Sequence, residues 1–487
     1  MGNNSSNCSP LEQELARKAS ELEARRRERE GLMVGITLKA IADRVVSKSA
    51  DIMAVMSAGK NGSSYGIREI VMREVVRAAD GLLWCPEYVQ KLNGEQHVKV
   101  FTGSHWEVVE SQQWKDFVGL CAERCGVPES HRMNHSFMNP LFEGLAFNVS
   151  QSRRQCIPSD EVWLNVRNGS LVVGKDGSVA LRGHRKEDLF TYTLDYSYDP
   201  QAGCPQWLAF LNRVLPEMES QTVLAEFIGY CLMKDHRFEK MLWLFGEGLN
   251  GKSVTLEIIE ALLGSVNVSF LSLSDLTNDE VKRAGIEHKM LNISHESGKD
   301  VNPNVLKQLT SGERVLIKHL YVDPRETEDY GKFIAAFNAL PKAEVTFGYF
   351  RRLIILPYLV TIPPEEIDRQ LTTKLKQEMP GILNWVLESL PGLMQHAEFT
   401  SSGNCLKALD QSRLQSDNVR LFLSEMCEPS EYTTCSTDLY NAYHSYCVSS
   451  SLRPLGRNKF YERLETLAGA PEIYGNLKRF KLRLIEQ

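Results

Sequence analysis

The chain has 487 residues, too many for one hydrophobic core, and its length sets an expectation of about three domains. Its 43% hydrophobic and 24% charged residues are ordinary for a globular protein in water, and no apolar run approaches the ~20 residues of a membrane span. The formal charge of −6 excludes a uniformly basic nucleic-acid coat, so any DNA binding falls to a local basic surface or channel.

Residues 9–30 carry Leu11, Leu15 and Leu22 on one helical face among mixed charges, a solvated helix with a thin apolar stripe. The N-terminus lacks a basic and apolar leader, so the reading is a cytoplasmic protein of a bacterial or host cell interior. From 31 to 160 the pattern is mixed α+β. Helices are expected around Leu38–Val46, Ile67–Val76 and Trp114–Cys125, with a hairpin over Val98–Val109 turning at Thr102–Ser104. Cys121 and Cys125 have helical spacing and no second Cys/His pair, which reads as helix packing and not a zinc site. No catalytic carboxylate pair or activated nucleophile stands out in this part, and it shows neither the acidic metal triad nor the zinc motif that primer synthesis requires. A strand pair at Val162–Val166 and Ser170–Val173 and a helical segment, Pro205–Lys234, complete the stretch 161–238.

The densest chemistry lies between 239 and 400. Met241–Phe245 reads as a strand, Gly246-Glu247-Gly248-Leu249-Asn250-Gly251-Lys252-Ser253 as a glycine-rich turn, and Val254–Leu263 as a helix closed by Gly264. Strand, loop and helix in that order form the context of a phosphate-binding loop: glycines let several N–H groups face one anion, and the new helix adds its positive end. In such a loop Lys252 reaches the β- and γ-phosphates and Ser253 holds Mg²⁺. A second strand, Leu291–His295, leads to Glu296, an acid placed to polarise water or hold Mg²⁺. A third, Phe333–Phe337, ends at Asn338, and Arg351 and Arg352 open a fourth. Each alone has a plain alternative, a turn residue or a surface charge; the ordered set is what points to phosphoryl transfer.

These residues resemble the superfamily 3 helicases of the AAA+ class, in particular the C-terminal half of phage, plasmid and poxvirus-type primase-helicases. The resemblance rests on Gly246–Ser253, Leu291–Glu296, Leu309-Thr310-Ser311-Gly312-Glu313, Asn338-Ala339-Leu340-Pro341 and Phe350-Arg351-Arg352. It extends to the helix around Gly381–Leu387, and Leu439–Tyr443 and Lys459–Leu464 resemble a winged-helix tail over 413–487, whose last strand alternates basic and apolar residues. It implies an α/β fold with an AAA+ P-loop core and helical collar, a mixed α+β N-terminal domain and a C-terminal winged helix. It implies a homo-oligomer, a ring of six, with ATP and Mg²⁺ between neighbours. Gly246, Glu247, Gly248, Leu249, Asn250, Gly251, Lys252, Ser253 and Val254 would cradle the phosphates, with Ser253 and Glu296 at the metal. Glu296 would be the catalytic acid, Asn338 the γ-phosphate sensor, and Arg351 or Arg352 a finger into the next subunit. The Val315–Tyr321 region would form a channel hairpin, with Lys318 and His319, and Lys307 beside them, on single-stranded or forked DNA. His295 stands where many of these helicases have a second acid.

The expectation is therefore an ATP-dependent DNA helicase of a phage, virus or mobile element, working beside a primase or replication initiator. Two alternatives stay open: an ATPase that remodels or loads proteins with the same motor, and a non-enzymatic DNA-binding initiator.

Overall fold

The computed structural model describes residues 31–58, 63–86, 98–150, 155, 157–295, 301–320, 323–339, 350–450, 452, 454–474 and 477–485. The charged helix expected over 9–30 lies outside the described residues, as do Glu296, Tyr321, Leu340 and Pro341. The chain divides into two compact units, 1–200 and 201–487. Among the described residues no helix is long and apolar enough to cross a membrane.

In the first unit, Ser63–Ala79 shows how the sequence sets its helices. Ile67, Val71, Val75 and Ala78 recur every three or four residues and are at most 1% exposed. They share one core with Trp114, Phe117, Leu141 and Leu145 from the helices Ser111–Cys125 and His135–Asn148. Cys121 and Cys125 lie in that core, and burial pushes both thiols up, Cys125 to about 12. Lys99–Phe101 and Trp106–Val108 form the expected hairpin, with Gly103 at φ 99° in its turn. Glu161–Val166 and Gly169–Gly174 pair antiparallel and gain a third strand, Val179–Arg182. That strand is largely exposed and has no polar–apolar alternation to announce it.

In the second unit the helical segment expected over Pro205–Lys234 is two helices, α1 (Pro205–Val214) and α2 (Met218–Leu232). They part around Pro216, which has no N–H to continue the ladder. Five parallel strands follow: β1 (Met241–Phe245), β2 (Val268–Ser269), β3 (Leu291–His295), β4 (Lys332–Phe337) and β5 (Leu353–Pro357). Their order across the sheet is β5-β1-β4-β3-β2. Met241, Leu242, Trp243 and Leu244 are at most 1% exposed, because a parallel sheet is covered on both faces and an interior strand is apolar on both. Helices α3 (Lys252–Leu263), α4 (Pro303–Ser311), α5 (Met379–His396) and α6 (Gly403–Ser416) complete the body. The protein thus contains a mixed α/β fold built on a parallel sheet.

The chain ends in a small core of Phe422, Tyr443, Phe460 and Phe480. Three helices, Asn418–Met426, Ser436–Ser449 and Arg457–Ala468, surround it with the strands Cys427–Cys435, Glu472–Tyr474 and Leu477–Leu484. The last strand lies in the middle of that antiparallel sheet.

Candidate functional site

Strand register decides which candidates meet. Phe245 of β1 lies level with Phe337 of β4, and Ala336 lies level with His295 of β3. The residues that follow these tips, Gly246 and Asn338, therefore emerge side by side, and the Gly246 N–H donates to the Phe337 carbonyl at 3.1 Å. A ligand crevice at the carboxyl ends of parallel strands, where neighbouring strands lead to different connections, is the general expectation for such sheets.

The loop is shaped tightly. Gly248 and Gly251 have φ of 111° and 88°, and Leu249 adopts 46°. A Cβ on Gly246 would lie 2.1 Å from Asn250 Nδ2 and 2.5 Å from the Tyr358 carbonyl, so only glycine fits. One on Gly251 would strike Phe210 and Val214 of α1. The chain after β5 clasps the other side: Tyr358 N–H donates to Phe245 (2.6 Å), Ile362 N–H to Leu249 (2.7 Å), and Tyr358 Oη to Thr255 Oγ1 (3.0 Å). Phe210, Val214, Tyr358 and Thr255 shape the loop and were missed by sequence reasoning. All four lie outside Gly246–Val254, and no local signal marks a contact such as that of Tyr358 with Asn250, 108 residues away.

Lys252 is the chemical centre. It is 7% exposed, and its amine donates to the Gly246 carbonyl (2.6 Å) and Asn250 Oδ1 (3.0 Å). Burial alone holds it below the usual lysine range. Both partners are neutral oxygens, so the buried charge is hydrogen-bonded without being neutralised, which favours an anion in the loop. Ser253 sits at the exposed first turn of α3, where its hydroxyl suits a hard cation shared with a phosphate. Residues Gly246–Val254 thus fit a nucleotide phosphate with its metal. Exposed Asn338 and half-buried Gly248 border the same end of the sheet. Glu296 follows His295 directly but lies outside the described residues.

Arg351 and Arg352 do not join this site. Arg352 precedes β5, and its carbonyl accepts from Met241 N–H (2.9 Å) at the start of β1. β1 has five residues, so at ~3.3 Å each the arginines lie about 15 Å from their own loop, at the opposite end of the sheet. Both guanidinium groups reach Glu239 Oε2 at 3.1 Å. Arg352 is 13% exposed and also donates to Ser311 Oγ, whereas Arg351 is 57% exposed. Glu239, which holds both at a φ of 49°, was not singled out from sequence.

Lys318 and His319 lie just past the strand Val315–Ile317, which pairs antiparallel with Arg325–Thr327. The expected strand-like run to Tyr321 is shorter, ending at Ile317. Lys318 is exposed, and His319 Nε2 contacts Glu287 Oε2 at 3.3 Å. Lys307 is half-buried on α4, the helix that precedes this hairpin.

Three family models match the chain: one described as D5 N terminal like over 87–216, one as Poxvirus D5 protein-like over 414–481, and a family of unknown function over 244–352. A mimivirus protein (Acanthamoeba polyphaga mimivirus) named as a candidate helicase, L207/L206, is 24% identical over 192 residues. That match takes in 37% of this chain and a fifth (20%) of the relative. Among solved structures, an apo structure of the NrS-1 C-terminal region aligns at 11% identity with a TM-score of 0.46, covering 87% of this chain and 99% of that one. An A-form apo structure of the same region aligns at 11% with a TM-score of 0.44, covering 71% and 74%. The two D5-type models and the helicase-named relative together support a likeness to the phage and viral primase-helicases of superfamily 3. The likeness is to helicase-like replication proteins, and it rests on parts of the chain.

Proposed function

We propose that this protein is an ATP-driven DNA helicase motor that works as a ring. The observation that carries the reading is the buried Lys252 amine, held only by the Gly246 carbonyl and Asn250 Oδ1 at the tip of β1. Mg²⁺–ATP supplies the phosphoanhydride whose cleavage drives movement. Lys252 neutralises phosphate charge, Ser253 ligates the metal, Glu296 polarises the attacking water, and Asn338 orients it. The parallel order β5-β1-β4-β3-β2 supports an AAA+ core, with α1 and α2 as the collar. Arg351 and Arg352 sit too far from their own loop to act there, which favours service to a neighbour's nucleotide across a ring interface. Of the two, Arg351 is the finger and Arg352 the anchor, since Arg352 is bound to Ser311 and largely covered. Lys318 on the hairpin contacts the DNA backbone, which carries no base specificity. The C-terminal helices and sheet suit a winged helix. Lys478, Lys481 and Arg483 there each face a glutamate, so DNA contact by that face requires these weak exposed pairs to open.

The protein-remodelling alternative draws support from Leu316 and Leu320, 39% and 70% exposed on the same hairpin, an apolar grip that suits polypeptide. Steady-state ATP hydrolysis with and without single-stranded DNA decides between them. Strong stimulation by DNA, lost in Lys252→Ala, is the expected outcome. Hydrolysis indifferent to DNA would turn the reading to the remodelling ATPase, and no hydrolysis in an assembled sample to a non-enzymatic initiator.

A further inference from the structure

The hairpin is not held by its own ladder alone. The Glu287 side chain, 7% exposed, accepts from His319 Nε2 at 3.3 Å and from Arg325 Nη2 at 2.5 Å. His319 follows the outgoing strand and Arg325 opens the returning one, paired with Ile317, so a single carboxylate ties both limbs on the side of the turn. The preceding stretch supports the other side. Lys318 N–H donates to the Glu280 carbonyl at 3.0 Å, and the buried Arg283 donates to the Leu316 carbonyl at 2.7 Å while also bonding Leu276 and Thr277.

Glu287 has a second set of connections through its backbone. It forms an isolated antiparallel bridge with Tyr330, and next to it His288 N–H donates to the Asp329 carbonyl at 2.9 Å. Beyond Glu287 the chain enters β3 at Leu291, and beyond Tyr330 it enters β4 at Lys332. Those two strands pair along their length and end at His295, before Glu296, and at Phe337, before Asn338. Both are interior strands of the sheet, where close packing resists deformation and transmits strain.

We infer that Glu287 is a positioning residue that couples the DNA-gripping hairpin to the nucleotide end of the sheet. Its carboxylate fixes the hairpin, and its backbone joins the segments that lead into the two strands ending at His295 and Phe337. A shift of β3 against β4 when the nucleotide changes therefore moves the hairpin with it. The coupling rests on the helicase reading above.

The test is ATP hydrolysis by the full chain with and without a thymidine oligonucleotide, comparing wild type with Glu287→Gln, Glu287→Asp and Arg325→Gln. Glu287→Gln is expected to keep the KM for ATP and the DNA-free rate within about twofold, while stimulation by the oligonucleotide falls about 5- to 10-fold. Glu287→Asp should recover part of that stimulation. Arg325→Gln should reproduce the loss, and the double variant Glu287→Gln/Arg325→Gln should lose no more than either single one. Stimulation of Glu287→Gln equal to a stimulated wild type would overturn the coupling and leave the helicase reading intact. A parallel fall of thermal stability and DNA-free rate would reduce Glu287 to a packing role and overturn it as well. A wild type unmoved by the oligonucleotide would overturn the helicase reading, and the coupling with it.

Discussion

Gly246 and His236 make opposite kinds of residue-scale argument. At Gly246 the space is gone: a methyl group would displace the Asn250 amide that helps hold Lys252. Gly246→Ala should weaken nucleotide binding by at least about tenfold, in titration with a fluorescent ATP analogue, through loss of loop shape. Unchanged affinity would mean that the loop relaxes freely. At His236 the environment acts on charge. Burial, then the nearby Lys332, lowers its pKa to about 4, while Nε2 faces the Gly331 carbonyl at 3.0 Å. A histidine lowered on folding is neutral in the fold, so its contribution is complete above its unfolded pKa of ~6.5 and is lost as pH falls through 6.5 towards 4. Urea unfolding at pH 7 and pH 4.5 should show about 2–3 kcal/mol of loss on this account, and His236→Gln should flatten that slope. Neither effect was readable from sequence, since the loop motif names Gly246 but not its neighbour Tyr358, and nothing near His236 hints at Lys332.

Elements were legible wherever burial imposes a period. β1 and β4 announced themselves as apolar runs because both faces of the sheet are covered, and Ser63–Ala79 by its helical stripe. Val179–Arg182 gave no such signal because it is an exposed strand. Pairing of elements is a separate matter. α2 and α5 approach so closely that a Cβ on Gly229 would lie 2.6 Å from Leu390 Cδ2. Gly229→Val should separate them and cost about 2 kcal/mol, seen as a drop of roughly 5 °C in Tm, with ATP affinity preserved because Gly229 faces Leu390 and Val386 of α5. A Tm equal to wild type would show that Leu390 simply rotates away.

At the scale of the whole molecule the arginines and the loop belong to different ends of one sheet, so on the proposed ring reading a second copy would bring them together. Lys252→Ala and Arg351→Ala should each abolish hydrolysis alone. Mixing the two should restore part of it, because some interfaces then combine an intact loop with an intact finger. Mixtures as inactive as their components would argue that Arg351 serves no neighbour. Arg352→Ala should instead lower Tm, through loss of its bonds to Ser311 and Glu239, before it changes turnover.

Local chemistry written along the chain was sufficient to mark a glycine-rich turn between strand and helix, the strands that lead to Glu296 and Asn338, and the arginine pair as candidates, because a phosphate-binding loop needs consecutive backbone groups and strand ends follow from hydrophobic runs. It could not say which arginine is exposed, that His319 is tied to Glu287, or that Lys307 is half-buried on α4. Those outcomes depend on strand order and on contacts between residues far apart in sequence, such as Glu239 with Arg351 and Arg352. Parallel pairing sets which end of each strand faces the loop, and packing then decides which charges are covered and which stay exposed.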